Sequence, residues 1–335
     1  MTLEPREEGP APEDELVPAD DAVIGRAFRR SLLVILALVL AGVLGIWLTR
    51  EAPGESETAR RDPIQAPPAL DRRTPEMPAV RFTDITREAG IDFVHVNGAV
   101  GAKLLPETMG AGAAFLDYDG DDDQDLLLVN SDHWPENRTA SRPTMALFRN
   151  DGSGRFENVT AEAGLDTPLY GQGAAVGDYD NDGRVDIFIS ALGENRLFRN
   201  LGGRFRDVTL EAGVAGAGDA WSTGTGFFDH DNDGDLDLFV CNYVQWSREQ
   251  DLDIHYTLNG TDRAYGPPKQ YPGAHSSLYR NEGDGTFVDV SAQAGIQVVN
   301  QVTGEPAAKS LAATFVDVDG DGSLDILVAN DTVQN

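Results

Sequence analysis

Four nine-residue windows set the strongest limit on what this chain can fold into. They read Asp117-Tyr-Asp-Gly-Asp-Asp-Asp-Gln-Asp125, Asp178-Tyr-Asp-Asn-Asp-Gly-Arg-Val-Asp186, Asp229-His-Asp-Asn-Asp-Gly-Asp-Leu-Asp237 and Asp317-Val-Asp-Gly-Asp-Gly-Ser-Leu-Asp325. Each has aspartate at positions 1, 3, 5 and 9, and each runs straight into a short apolar segment. The windows hold 19 of the chain's 56 acidic residues, where even spreading would give about six. Carboxylates this crowded repel by roughly 1 kcal/mol per pair at 4 Å even in water. A loop of this composition calls for a neutralising cation; the plainer alternative is a set of metal-free Asx turns.

Hard carboxylate oxygens suit Ca²⁺ or Mg²⁺, and Ca²⁺ takes six to eight of them in flexible geometry. The expected cofactor is therefore Ca²⁺. Its side-chain ligands would be Asp117, Asp119, Asp121 and Asp125; Asp178, Asp180, Asp182 and Asp186; Asp229, Asp231, Asp233 and Asp237; and Asp317, Asp319, Asp321 and Asp325. The backbone carbonyls of Asp123, Arg184, Asp235 and Ser323, at position 7, would add a further oxygen to each. Gly183, Gly234 and Gly322 at position 6 permit a turn with positive φ. Asp122 holds that place in the first window, which predicts the most strained site. His230, at position 2, is expected to point outward.

An EF-hand begins with the same pattern but needs Glu at position 12 and a helix after it. Position 12 here is Leu128, Ile189, Val240 and Val328. The runs that follow, Leu126–Val129, Ile187–Ile189, Leu238–Val240 and Ile326–Ala329, have the length of buried strands. Each loop is thus expected to join two strands.

A second element recurs behind the loops. Leu147-Phe-Arg-Asn150 leads to Phe156-Glu-Asn-Val-Thr160, Leu197-Phe-Arg-Asn200 to Phe205-Arg-Asp-Val-Thr209, and Leu278-Tyr-Arg-Asn281 to Phe287-Val-Asp-Val-Ser291, with Ala-Gly shortly after each. Gly-rich turns between two alternating segments predict hairpins. One unit is then four antiparallel strands. Spacings of 61, 51 and 88 residues between first aspartates fit blade-sized units with insertions. The predicted fold class is all-β, a β-propeller of four-stranded blades.

These linked motifs resemble FG-GAP/VCBS repeats. The lead-in Phe82-Thr-Asp-Ile-Thr86, with Glu88-Ala-Gly90 and Pro106-Glu-Thr-Met-Gly110, is similar to the ASPIC/UnbV-type branch, the cartilage acidic protein family. The resemblance covers residues 81–335. It implies an integrin-α-like propeller with Ca²⁺ held at positions 1, 3, 5 and 9 of each window. Two departures stand out. The fourth repeat stops at Asn335 without its hairpin, which the resemblance reads as a truncated propeller; the alternative is a four-blade ring closed by Phe82–Thr86. Where the family carries a cysteine pair in the insert, Tyr256 and Tyr265 stand here.

Residues 1–30 read as an acidic, disordered cytoplasmic tail. A transmembrane signal anchor is expected over 31–49, because the uncharged run Leu32–Leu48 spans about 26 Å as a helix. Arg26, Arg29 and Arg30 flank it closely on the N-terminal side, which predicts that end inside and the large domain extracytoplasmic, periplasmic or at the cell surface. Residues 50–80 form a Pro-rich linker, and 81–335 the repeat domain.

A net charge of −30 and a pI near 4.3 exclude nucleic acid as a partner. The five His are scattered, and no metalloprotease, nucleophile-elbow, phosphate-loop or dinucleotide pattern is present. The function expected is a membrane-anchored calcium-binding module for adhesion, not an enzyme; the alternative is a hydrolase-like propeller acting on surface polymers. The expected contact surface for a protein or glycan is the insert Tyr243–Ser277, which carries four of the eight Tyr and Trp246; the plainer alternative is that Tyr243 and Trp246 pack on the blade edge.

Overall fold

The computed structural model describes residues 81–333. The described residues build three four-stranded antiparallel sheets in simple meander order and a two-stranded one. The first holds β1 (Ala113–Leu116), β2 (Asp125–Leu128), β3 (Ala146–Asn150) and β4 (Phe156–Asn158). The second holds β5 (Gly171–Gly177), β6 (Asp186–Ala191), β7 (Arg196–Asn200) and β8 (Phe205–Asp207). The third holds β9 (Ser222–Phe228), β10 (Asp237–Asn242), β11 (Ser277–Asn281) and β12 (Phe287–Asp289). The fourth pairs β13 (Ser310–Val316) with β14 (Asp325–Asn330). In all four, the Asp window turns the chain from the first strand into the second, as its spacing predicts.

After its opening Asp each second strand begins with three apolar residues, and β6 and β10, in the middle of the stack, are covered on both faces. Side chains alternate across a strand, so Ile187 and Ile189 of β6 enter the core shared with Leu127 and Leu147 of the first sheet. Phe188, between them, enters the core shared with Leu238 and Val240 of the third. Phe239 and Cys241 of β10 face the next core, with Ile326 and Val328 of β14. Fully burying such a side chain is worth roughly 1.5–3 kcal/mol. The sheets thus stack face to face in chain order. Leu327 of β14, whose outer side meets no further sheet among the described residues, is half exposed.

The first strands lie against one another: β1 on β5, β5 on β9 and β9 on β13. Small residues allow this approach. A Cβ on Gly173 would sit 2.6 Å from the Thr223 carbonyl oxygen, and one on Gly224 would sit 2.7 Å from the Ala312 Cα.

The hairpin motif closes each sheet through one repeated set of hydrogen bonds. Asn158 Oδ1 accepts from the Thr160 N–H and hydroxyl, and Thr160 Oγ1 in turn accepts from the Leu147 N–H. Asp207 with Thr209 and Leu197, and Asp289 with Ser291 and Leu278, repeat it. Behind it, α1 (Thr160–Ala163) and α2 (Thr209–Ala212) are single turns ended by Gly164 and Gly213 in the left-handed region. Lead-in Asp84 makes the same turn with Thr86. No strand forms there, and Phe82 is 95% exposed.

The transmembrane expectation needs correction. Among the described residues no helix is long and apolar enough to cross a membrane. The third helix, α3 (Arg248–Asp253), has six residues where a span takes about 20. The segment 31–49 lies outside the described residues, as do the tail 1–30 and the linker up to residue 80. The single-pass, extracytoplasmic localisation is withdrawn on this finding.

Candidate functional site

Each Asp window is a loop organised by its own carboxylates. The position-1 aspartate caps the turn: Asp117 accepts from the Gly120, Asp121 and Asp122 N–H groups, and Asp317 accepts from Gly320, Asp321 and Gly322. Asp178 and Asp229 accept from the N–H groups at positions 5 and 6. The position-5 aspartates Asp121, Asp182, Asp233 and Asp321 accept from the N–H two residues on. Position 6 has positive φ throughout, with Asp122 at 70°. Position 4 does too, at Gly120, Asn181, Asn232 and Gly320, which the sequence reading missed although Gly and Asn are the residues that tolerate it.

In the first three loops position 9 is the most buried and ties the loop to its hairpin. Asp186, fully buried, accepts from the Tyr179 N–H at 3.2 Å and the Asn200 N–H at 2.7 Å. Asp125 and Asp237 repeat this with Asn150 and Asn281. Asp325 accepts only from Val318 among the described residues, which include no hairpin after β14. The hairpin asparagine also reaches the preceding repeat: Asn200 Nδ2 donates to the Tyr118 carbonyl and Asn281 Nδ2 to the Tyr179 carbonyl. The loops are therefore fixed to each other through backbone.

The fold brings most of the expected ligands together, but not as full sets of four. Oxygens of Asp117, Asp119 and Asp125 lie within 4.8 Å of one another, as do those of Asp178, Asp180 and Asp186, and of Asp317, Asp319 and Asp325. In the third loop the close set is Asp229, Asp231 and Asp233. Asp121, Asp182 and Asp321 stand outside the close triplets of their loops. Asp237 instead groups with Asp231 and His230, whose ring turns inward to place Nδ1 2.5 Å from the Asp237 carboxylate. The outward orientation expected for His230 is thus corrected.

Electrostatics separates the loops. Burial raises the carboxyl pKa of Asp119, Asp125 and Asp180, and pushes Asp186 up to about 7. Asp180 has a counter-charge but lacks hydrogen bonds. Its side chain is 8% exposed, and neither carboxylate oxygen accepts a hydrogen bond. Arg199 Nε lies 2.6 Å from it without hydrogen-bond alignment, and Arg199 and Arg184 both pair with Asp182. The arginine of the hairpin motif thus supplies part of the neutralisation, a role the sequence reading did not assign. An all-oxygen donor set with buried, undonated carboxylate oxygens fits a hard divalent cation.

The insert Tyr243–Ser277 folds down rather than standing out. Tyr243 and Tyr271 are buried, and Trp246 packs against Trp134 and Trp221 at 5.7 and 6.0 Å. Buried Asp251 accepts from the Leu105 N–H, the Trp246 indole and Arg263, while Tyr265 and Trp134 both donate to buried Glu107. The insert is thereby pinned to the lead-in.

The FG-GAP-like repeat model matches residues 117–189, 178–240 and 251–328, each match running from one repeat toward the next. The chain belongs to the FG-GAP repeat family. Its matched relatives include cartilage acidic protein 1 of Mus musculus, 27% identical over 195 residues, and that of Homo sapiens, 26% identical over 195 residues. Each match covers 55% of this chain and 24% of the relative, so the FG-GAP chain spans about a quarter of the relatives' length. Among solved structures, an Agrocybe aegerita lectin recognising non-reducing terminal N-acetylglucosamine is 18% identical. That match covers 64% of this chain and 45% of the lectin at a TM-score of 0.31, and carries no argument.

Proposed function

We infer that residues 81–335 form a calcium-binding β-propeller, of which the described sheets are successive blades, and that it works as a binding or adhesion module rather than as an enzyme. Three features support the propeller: first strands packed on one another, sheets stacked in chain order, and a repeated contact between units. In that contact the Ala-Gly turn behind one hairpin meets the phenylalanine opening the next outer strand: a Cβ on Gly164 would sit 3.0 Å from the Phe205 carbonyl oxygen. Gly213 stands likewise against Phe287 and Gly90 against Phe156. The lead-in therefore occupies the outer-strand place of a blade preceding the first.

The observation that carries the calcium reading is the buried, undonated carboxylate of Asp180 inside a triplet of aspartates. The residues that would hold Ca²⁺ are the aspartates at positions 1, 3 and 9, with position 5 and the position-7 carbonyls completing each set. A bound ion would offset carboxylate repulsion and brace the turn between the first two strands. A site of Kd about 0.1 mM in about 1 mM Ca²⁺ would contribute roughly 1.4 kcal/mol. Melting of the full chain with and without EGTA tests this: a fall of several degrees on chelation is expected, and an unchanged curve would refute it.

A further inference from the structure

A cavity of about 690 Å³ opens between the second and third sheets at the root of the insert. Its volume lies within the range of small-molecule sites, about 300–1,000 Å³. Half-buried Trp246 lines it, packed edge-on against fully buried Trp221. The Trp221 indole N–H donates to Gln172, outside the cavity lining, so its ring contributes apolar surface.

The polar groups facing the cavity fall into two classes. Some are spent: Asn242 accepts from the Ser222 hydroxyl and donates to the His275 carbonyl. Others have no partner among the described residues: the Asn195 Nδ2, the Gln245 Oε1, the Gln250 amide, the His275 ring and the Asp219 carboxylate. Asn195 is the informative one. It is 1% exposed, and its Oδ1 accepts from the Ala191 N–H at 3.1 Å. The donor half of the amide is left beside Gly216, where a Cβ would stand 3.0 Å from Nδ2.

This set restricts the ligand. An anion would meet Asp219 and Asp289 with no Lys or Arg in the lining to offset them. An ammonium could not use the buried Asn195 donor. A hydroxyl both donates and accepts, so a neutral, hydroxyl-rich ligand satisfies the donor at the back and the acceptors at the rim. Its C–H faces would lie on the Trp246 indole. We propose that this cleft is a binding site for neutral saccharides, with Asn195 as the buried donor and Asp219 and Gln250 as the rim contacts. The proposal rests on the reading of the chain as a binding module, and supplies its ligand class.

The test screens the full chain in millimolar calcium against neutral, uronate-bearing and sulfated oligosaccharides, with tetramethylammonium as a cation control. The tightest neutral glycan is then titrated by tryptophan fluorescence. Binding of neutral glycans is expected, weakened about tenfold in Asn195→Asp, which keeps the Ala191 contact and removes the donor. Exposed Asp219→Ala, and Gln250→Ala, should each weaken it about three- to tenfold with calcium content and melting unchanged, which keeps the test open should Asn195→Asp fail to fold. Preference for anionic glycans or tetramethylammonium would overturn the proposal, as would neutral binding that both rim variants leave intact. Absence of glycan binding by a calcium-loaded, normally melting chain would also overturn it while leaving the calcium propeller standing; loss of calcium binding itself would count against that broader reading.

Discussion

Asp122 holds a left-handed position at φ 70° that the other three loops give to glycine. At those glycines an added Cβ meets nothing within 4 Å, so the cost at position 6 is backbone conformation alone. That cost is about 1–2 kcal/mol for an L-residue. Glycine gives back about 0.5–1 kcal/mol through the entropy of the unfolded chain. Asp122 has five other aspartates in its window, and removing its charge relieves about 1 kcal/mol of repulsion without metal. Its N–H donates to Asp117, a bond glycine keeps. Asp122→Gly should therefore stabilise the chelated chain by about 1–2 kcal/mol, a rise of about 2–8 °C in Tm for a domain this size. With calcium present the charge contribution fades and the gain halves. Scanning fluorimetry with EGTA and with calcium reads both. Asp122→Asn isolates the charge, and Asp122→Ala should be the least stable of the three. An alanine variant as stable as the glycine variant would refute the backbone account.

Asp186 gives a pH dependence. Its carboxyl is raised by burial from 3.8 to about 7 in the metal-free chain, so the folded state is penalised above that value and the penalty disappears as pH falls toward 4. Metal-free Tm should rise between pH 8 and 5, Asp186→Asn should flatten that slope, and adding calcium near pH 6.5 should release protons in a pH-stat. Asn281→Ala should cost about 3 kcal/mol in urea unfolding, because its Nδ2 holds the Tyr179 and Leu236 carbonyls. Asn150→Ala, whose Nδ2 holds only Gln124, should cost less; equal losses would argue against inter-repeat stapling. Gly173→Ala should destabilise by about 2–3 kcal/mol from its clash with the Thr223 carbonyl oxygen, against about 1 kcal/mol for Gly183→Ala in open space, and a reversed order by thermal melting would contradict the packing of the first strands.

Much of the fold is legible in the sequence because its determinants are local. The Asp windows place the turn, the apolar runs place the second strands, and Leu-Phe-Arg-Asn places the hairpin. What escaped notice depends on partners far away in sequence. That Asn200 serves the loop of the preceding repeat cannot be read from its own hairpin. Arg199 belongs to a hairpin motif yet meets Asp180 across the sheet. The aromatics of the insert read as a contact surface by composition, but Glu107 and Asp251, unremarkable in sequence, draw them inward. The turns α1 and α2 were missed because four residues carry no helical period.

Calcium stoichiometry of the full chain by equilibrium dialysis tests the central claim most directly. The account predicts bound Ca²⁺ at millimolar concentration, approaching four ions per chain and falling by about one with Asp180→Ala in the second loop. A chain that retains no Ca²⁺ would contradict it.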